Sequence, residues 1–351
     1  SIPLGTPAAE ALGLADPVID FEVTPNRPDW LGVQGIARDL AAAGAGRFIP
    51  NDVKKVSGSF DCPVEIRLEA PDACPMFAGA LVKGVKNGPS PDWMQQRLKA
   101  VGIQPRSLLV DVTNYISLDR ARPLHAYDAA KLQGIVTARL GKKGEKLVAI
   151  DGKTYDITEE MCVIADDSGA IGLGGVMGGE STAVSAGTTD VFIESAWFDP
   201  LRTARTGRAT GIHSDARYRF ERGVDPEFMA DGMELATQMV LDICGGTPSE
   251  PEIVGYEGYT PRVIDFPYAE TRRLTGLTVD APESAEILRR LGFGVGDGSE
   301  TAPVSVPSWR PDVEGKADLV EEVMRIHGVD EIAPAPLESH GAVNEKILTT
   351  L

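Results

Sequence analysis

The sequence predicts a multidomain α+β chain, a mixed-sheet domain followed by a small α+β domain, and three observations carry that expectation. The 351 residues exceed the roughly 100 to 200 of one typical domain. From residue 63 to residue 197 the chain is rich in short apolar runs and turns, with few helical periodicities. After a stretch at 250–262 that holds Pro251, Gly255, Gly258 and Pro261 and reads as a linker, a compact piece of mixed helix and strand opens at Arg262.

Taken in order, Thr24 to Asp29 is stiffened by Pro25 and Pro28, and an amphipathic helix is expected from Leu31 to Ala43 with Asp29 as N-cap. Its segment offers too few apolar neighbours to bury it, so it reads as the remnant of a larger domain. Val64, Ile66 and Leu68, then Phe77, Ala80, Val82 and Val85, predict strands. Pro91 to Val101 predicts a helix stopped by Gly102. Apolar runs at 108–112, 136–140, 161–164 and 191–193 read as further strands, and Asp225 to Cys244 as a long helix closed by Gly245 and Gly246. In the last part a helix is expected from Ala281 to Leu291, a turn at 296–300, a strand at 304–306 and a helix from Asp312, as N-cap, to His327.

Charge and composition narrow the functions. With 34 Lys and Arg against 52 Asp and Glu, the net charge of −18 removes any general attraction to phosphate backbones, so a nucleic acid would have to be met locally. No apolar run reaches the length of a membrane span, and the N-terminus has no signal-peptide pattern. Four cysteines without a C-x-x-C pair point to reduced thiols in a cytoplasmic protein rather than to a metal or disulfide framework. The start at Ser1 suggests a piece of something larger.

Four constellations could carry chemistry. A strand ending in Thr113 and Asn114 would present two hydrogen-bonding side chains at a cleft, and His125, in Arg122 to Asp128, could act as a base or orient a water; a capped turn and a satisfied core histidine are the bland alternatives. Five glycines among residues 172–179 make either a pocket wall of bare backbone or a tight strand crossing. Glu194 interrupts an apolar run, so its carboxylate must be paired or line a cavity. Residues 201–223 hold six arginines against Asp215 and Glu221, which could meet nucleic acid phosphates or pair with the chain's own carboxylates.

Six ordered strings resemble the beta chain of bacterial phenylalanyl-tRNA synthetases: DFEVTPNRPDWLGVQGIARDLAA at 20–42, VDVTNYISLDRARPLHAYD at 110–128, GGVMGGE at 174–180, FIESAWFDP at 192–200, GIHSDARYRFERGVDP at 211–226 and PSWRPDVEGKADLVEEVMRIHGVDEI at 307–332. The resemblance implies the tail of a first domain at 1–50, an editing domain at 51–255, a small winged-helix-like domain at 262–335 and the start of a catalytic-like module at 340–351. It implies hydrolysis of tyrosine wrongly esterified to the phenylalanine tRNA, with Glu194 meeting the phenol, Gly178, Ser214 and Ala216 lining the ring pocket, and His125, Thr113 and Asn114 about the ester. Implied partners are an alpha chain, in an α2β2 assembly, and the tRNA 3′ end. No cofactor is implied in this stretch, while ATP and Mg²⁺ serve the whole enzyme. The competing reading is a non-catalytic module that guides tRNA and supports assembly. Gln104 stands where the family often has Arg, with Arg106 as a possible substitute, and Ser214 where it often has Thr.

Overall fold

The computed structural model describes residues 2–13, 15, 17–50, 52–255, 258–332 and 334. The module expected at 340–351 lies outside them. Two compact units emerge: Ser1–Pro261 with Pro307–Asp312, and Arg262–Val306 with Val313–Leu351. No helix among the described residues is long and apolar enough to cross a membrane.

The first unit runs α1 (Ala8–Ala11), α2 (Val33–Ala42), β1 (Ile66–Leu68), β2 (Met76–Lys83), α3 (Asp92–Ala100), α4 (Leu108–Arg120), β3 (His125–Asp128), β4 (Val136–Leu140), β5 (Lys146–Val148), β6 (Thr154–Asp156), β7 (Cys162–Asp166), β8 (Gly169–Leu173), β9 (Met177–Gly178) and β10 (Asp190–Trp197). It continues with α5 (Pro200–Thr210), α6 (Asp215–Phe220), α7 (Phe228–Cys244), β11 (Thr247–Pro248) and β12 (Glu252–Gly255). The second unit contains β13 (Val263–Pro267), α8 (Ala269–Thr275), α9 (Ala281–Arg290), β14 (Gly294–Val295), β15 (Thr301–Ser305) and α10 (Lys316–His327).

Two sheets position the site. The first has the order β11-β2-β10-β3, all antiparallel, with β12 also pairing β2. The second has the order β1-β4-β7-β8-β9, antiparallel except for the parallel β1–β4 pair. Because successive strand side chains face opposite sides, β10 divides its residues between two layers. Val191 and Ile193, with Ala126 and Val82, meet Leu98 of α3, Leu108, Leu109, Val112 and Ile116 of α4, and Ala236 and Val240 of α7. Phe192 and Ala196, with Phe77, Leu81 and Tyr127, meet Ile66, Val136, Ala138, Ile164 and Ile171 of the second sheet. The result is helices on one face of the first sheet and the second sheet on the other.

Several local expectations change. Residues 108–112 form not a strand but the first turns of α4. Over the longer span the buried residues Leu108, Leu109, Val112 and Ile116 fall on one helical face, and that packing overrides the β-branched run. The 250–262 stretch is not wholly linker, since Glu252–Gly255 adds a strand to β2. Asp29 does not cap α2; it lies in a 3₁₀ turn and receives Arg27 Nε and Nη2 at 3.0 and 2.8 Å, with Asp39 as the guanidinium's second carboxylate. Asp312 likewise pairs with Arg310, at 2.8 and 2.7 Å, and α10 begins at Lys316 behind Gly315. The helix at 33–42, apparently short of neighbours, packs on α4.

In the second unit, α8, α9 and α10 accompany an antiparallel sheet of order β13-β15-β14, with Phe266, Leu288, Ala302, Val304 and Leu319 among its fully buried residues. The chain as a whole is thus mixed α+β.

Candidate functional site

A cavity of about 70 Å³ opens between the two sheets, lined by His125, Tyr127, Gly174, Gly175, Gly178, Glu194, Phe198, Ala216 and Phe220, among others. Since roughly 10–15 Å³ on this measure holds one water, it accommodates a group of several heavy atoms.

His125 and Glu194 arrive there as a cross-strand pair of β3 and β10, and the neighbouring pair on the same face is Tyr127 opposite Phe192. The entry to β3 is fixed by Arg122, which is 1% exposed and donates to the carbonyls of Ala196 and Asp225. Burial lowers that guanidinium to about 10. Before it, α4 closes on Ala121 in the left-handed region, φ 53°.

Glu194 is 6% exposed and accepts a hydrogen bond from the Tyr127 hydroxyl. Burial pushes its carboxyl up to about 7, with the Tyr127 bond working against that rise. Both sequence alternatives for Glu194 thus hold together: it is paired, and it lines a cavity. His125 is lowered to about 4 by burial, so the imidazole is neutral at pH 7. Its Nε2 is sealed from solvent and has no hydrogen-bond partner among the described residues.

The glycine run also serves both of its readings. Gly172 and Gly178 cross as β8 and β9, and Gly174, Gly175 and Gly178 wall the cavity with backbone. A Cβ placed on Gly178 would sit 2.3 Å from His125 Cε1 and 2.7 Å from Nε2, so only glycine admits the imidazole in this position. Ala216 lies in the first turn of α6. Ser214 is that helix's N-cap: its Oγ accepts from Arg217 N at 3.0 Å and donates to the Val176 carbonyl at 2.6 Å. It therefore joins α6 to the glycine run without itself lining the cavity.

Thr113 and Asn114 are not at a strand end. They sit half-buried in α4, whose apolar side packs on the sheet face opposite Glu194, and neither lines the cavity. Thr113 Oγ1 donates to the Val110 carbonyl at 2.7 Å. Gln104 and Arg106 are exposed and also stand apart from it. Of the six arginines at 201–223, Arg217, Arg219 and Arg222 pair with Glu221 or Asp215, and Arg202 donates to the Glu160 carbonyl. Arg205 and Arg208 are exposed on α5. Sequence reasoning missed Tyr127, although two-residue alternation from His125 points to it, and the edge-to-face pair Phe198–Phe220, 5.1 Å between centroids, which no local pattern announces.

Comparison with known proteins places this geometry. Residues 73–245 match the B3/4 domain family and residues 264–329 the tRNA synthetase B5 domain family. A phenylalanine–tRNA ligase beta subunit from Mesorhizobium japonicum is 58% identical over 349 residues, and one from Brucella suis is 55% identical over 353; each alignment covers 99% of this chain and 44% of the relative. A solved N-terminal fragment of the phenylalanyl-tRNA synthetase beta subunit from Pyrococcus horikoshii aligns over 87% of this chain and 85% of its own, at 17% identity and a TM-score of 0.42, a likeness too loose to bear on the fold. The chain spans less than half the length of the curated relatives it matches. At such identity over nearly all of its length, with both domain families in order, the chain belongs to the phenylalanine–tRNA ligase beta-subunit family and carries its B3/4 and B5 domains.

Proposed function

We propose that the cavity hydrolyses the ester of tyrosine misattached to the phenylalanine tRNA, and that this chain is the part of a phenylalanine–tRNA ligase that supplies such editing. The observation that carries the reading is Glu194, a buried carboxyl at the wall of a cavity that, His125 apart, is built of aromatic, apolar and bare-backbone surface. Such a site favours a ring that brings its own hydroxyl. A hydrophobic pocket rejects an added hydroxyl by only roughly 100-fold, whereas a site built to hydrogen-bond it discriminates by roughly 10⁴ or more.

In this proposal Glu194 accepts the phenol, Gly178 and Ala216 border the ring, and Ser214 holds α6 in place. The ester side falls to His125. A neutral imidazole held near 4 is a weak base, and no carboxylate hydrogen-bonds its ring among the described residues, so it acts by orienting the ester or a water. Its unpartnered nitrogen costs the fold roughly 1–3 kcal/mol, a cost a bound ligand could offset after a small ring shift. Thr113 and Asn114 take no part in the cavity. The alpha chain, the tRNA, ATP and Mg²⁺ belong to the whole ligase and enter here as its proposed partners and cofactors. The domain limits implied by the resemblance, 51–255 for editing and 262–335 for the small domain, are part of the same proposal.

The test is Glu194→Ala in the full-length beta chain assembled with its alpha chain. Tyrosyl and phenylalanyl esters should then be cleaved at similarly low rates, and a variant that kept its tyrosine preference would sink the assignment. Ala216→Trp should block hydrolysis while the melt stays cooperative, since the indole fills the cavity from the helix side at an overpacking cost of about 1–3 kcal/mol. Undiminished cleavage by a folded Ala216→Trp protein would remove Ala216 from the pocket. The same assays separate editing from a module that only guides tRNA, for which both parent rates would be nil.

A further inference from the structure

We infer that Tyr127 is a positioning residue for tyrosine specificity: its hydroxyl occupies Oε2 of Glu194 and so presents Oε1 to the phenol of the substrate. The inference rests on the editing reading above and adds to it a residue with no assigned role. Three observations and the accepting chemistry of a carboxylate support it. Tyr127 is 1% exposed, so its ring is fixed by packing and its hydroxyl has a fixed address. Its ring lies edge-on to His125, 4.4 Å between centroids at 75°, and tilted to Phe192 at 6.2 Å, which holds it between the residue across the strand pair and the one beside Glu194. The hydroxyl donates to Oε2, whereas Oε1 has no hydrogen-bond partner among the described residues and is not among the sealed, unpartnered atoms. A carboxylate only accepts, and with one oxygen occupied the other is aimed rather than free to rotate.

The bond also selects the ionised form. Burial favours the neutral carboxyl and the Tyr127 bond opposes it, so loss of the hydroxyl leaves Glu194 protonated over a wider range. The titratable groups facing the pair are His125 on β3, Cys74 ahead of β2 and Cys162 on β7, with Asp166 at the end of β7 acting on Tyr127. Burial lowers His125 to about 4, raises Cys162 to about 12 and raises both Cys74 and the Tyr127 phenol. Between pH 5 and 9 the group that changes charge at this spot is therefore Glu194.

The experiment measures the ratio of tyrosyl- to phenylalanyl-ester hydrolysis from pH 5.5 to 9 in the full-length assembled ligase, for the parent, Tyr127→Phe and Glu194→Gln. The ratio cancels the pH dependence of ester hydrolysis itself. For the parent it should rise with a midpoint near 7. Tyr127→Phe should cut the ratio about tenfold at pH 7, the worth of a charge-assisted hydrogen bond, and recover part of it at pH 9 because its midpoint moves up. Its tyrosyl-ester rate should fall further than its phenylalanyl-ester rate, and the midpoint should move with it, a split that a merely structural role, lowering both rates alike, would not give. An unchanged ratio and midpoint in Tyr127→Phe, with collapse in Glu194→Gln, overturns the role of Tyr127 and leaves the editing site standing. A higher ratio in Tyr127→Phe overturns it too, because Tyr127 would then compete with the substrate. Full selectivity in Glu194→Gln overturns both readings.

Discussion

Gly178→Ala should lower tyrosyl-ester hydrolysis by roughly 100-fold or more while the protein remains folded. The added methyl would lie 2.3, 2.7 and 3.2 Å from three atoms of the His125 ring, the first two closer than real Cβ contacts come. Tyr127 packs edge-on against the ring, 4.4 Å between centroids, and the strand that carries His125 is paired with β10, so a shift of the imidazole disturbs a packed neighbour. Displacing the imidazole by the ångström or so required moves the group proposed to orient the ester. Backbone strain is not the cause, because Gly178 is outside the left-handed region. Gly187→Ala is the control: its nearest neighbour would be Ser185 Oγ at 3.9 Å, and it lies away from the cavity. Parent-like hydrolysis in Gly178→Ala, with Gly187→Ala also parent-like, would show that the His125 position does not matter to the reaction.

That expectation draws on a contact no sequence pattern could supply. The glycine run was legible as a place of close backbone approach, but what approaches Gly178 comes from His125, 53 residues earlier, on another sheet. Glu194 was more legible, because a carboxylate inside an apolar strand violates the pattern around it and so announces a pairing or a cavity. The helix at 228–244 was legible from its own long periodicity. The helix at 108–120 was not. Its first five residues are apolar or β-branched apart from Asp111, and its amphipathic face becomes visible only when Ile116 is counted with Leu108, Leu109 and Val112. That misreading also put Thr113 and Asn114 at a strand end and hence in the cleft. Tyr127 was hidden for the opposite reason: strand alternation places it beside His125, but its bond to Glu194 depends on the register of β3 against β10.

Stability should carry two opposed proton-linked slopes, which single substitutions separate. Burial raises Glu194 from its ordinary 4.5 to about 7. Between those values the folded chain keeps a proton that the unfolded chain has released, so this group's contribution is fully present below pH 4.5 and is lost as pH rises to 7. The slope is about 1.4 kcal/mol per pH unit. His125 is lowered from 6.5 to about 4, and between those values it is the unfolded chain that binds the extra proton. Its contribution is therefore present above pH 6.5 and lost as pH falls to 4. From pH 4.5 to 6.5 the two nearly cancel in the parent. Glu194→Gln, whose amide oxygen can still accept from Tyr127, should become more stable than the parent as pH rises through this window, by about 3 kcal/mol at pH 7 and above. His125→Gln should gain a similar amount over the parent as pH falls from 6.5 to 4. All four tryptophans, Trp30, Trp93, Trp197 and Trp309, lie in the first compact unit, so their fluorescence during denaturation follows that unit. Taking each variant's difference from the parent at every pH removes the contribution of the other carboxylates. A Glu194→Gln difference that stays level from pH 4.5 to 7 would mean that Glu194 is ionised in the folded protein throughout, and the site would then present a permanent charge rather than a carboxyl poised near neutrality.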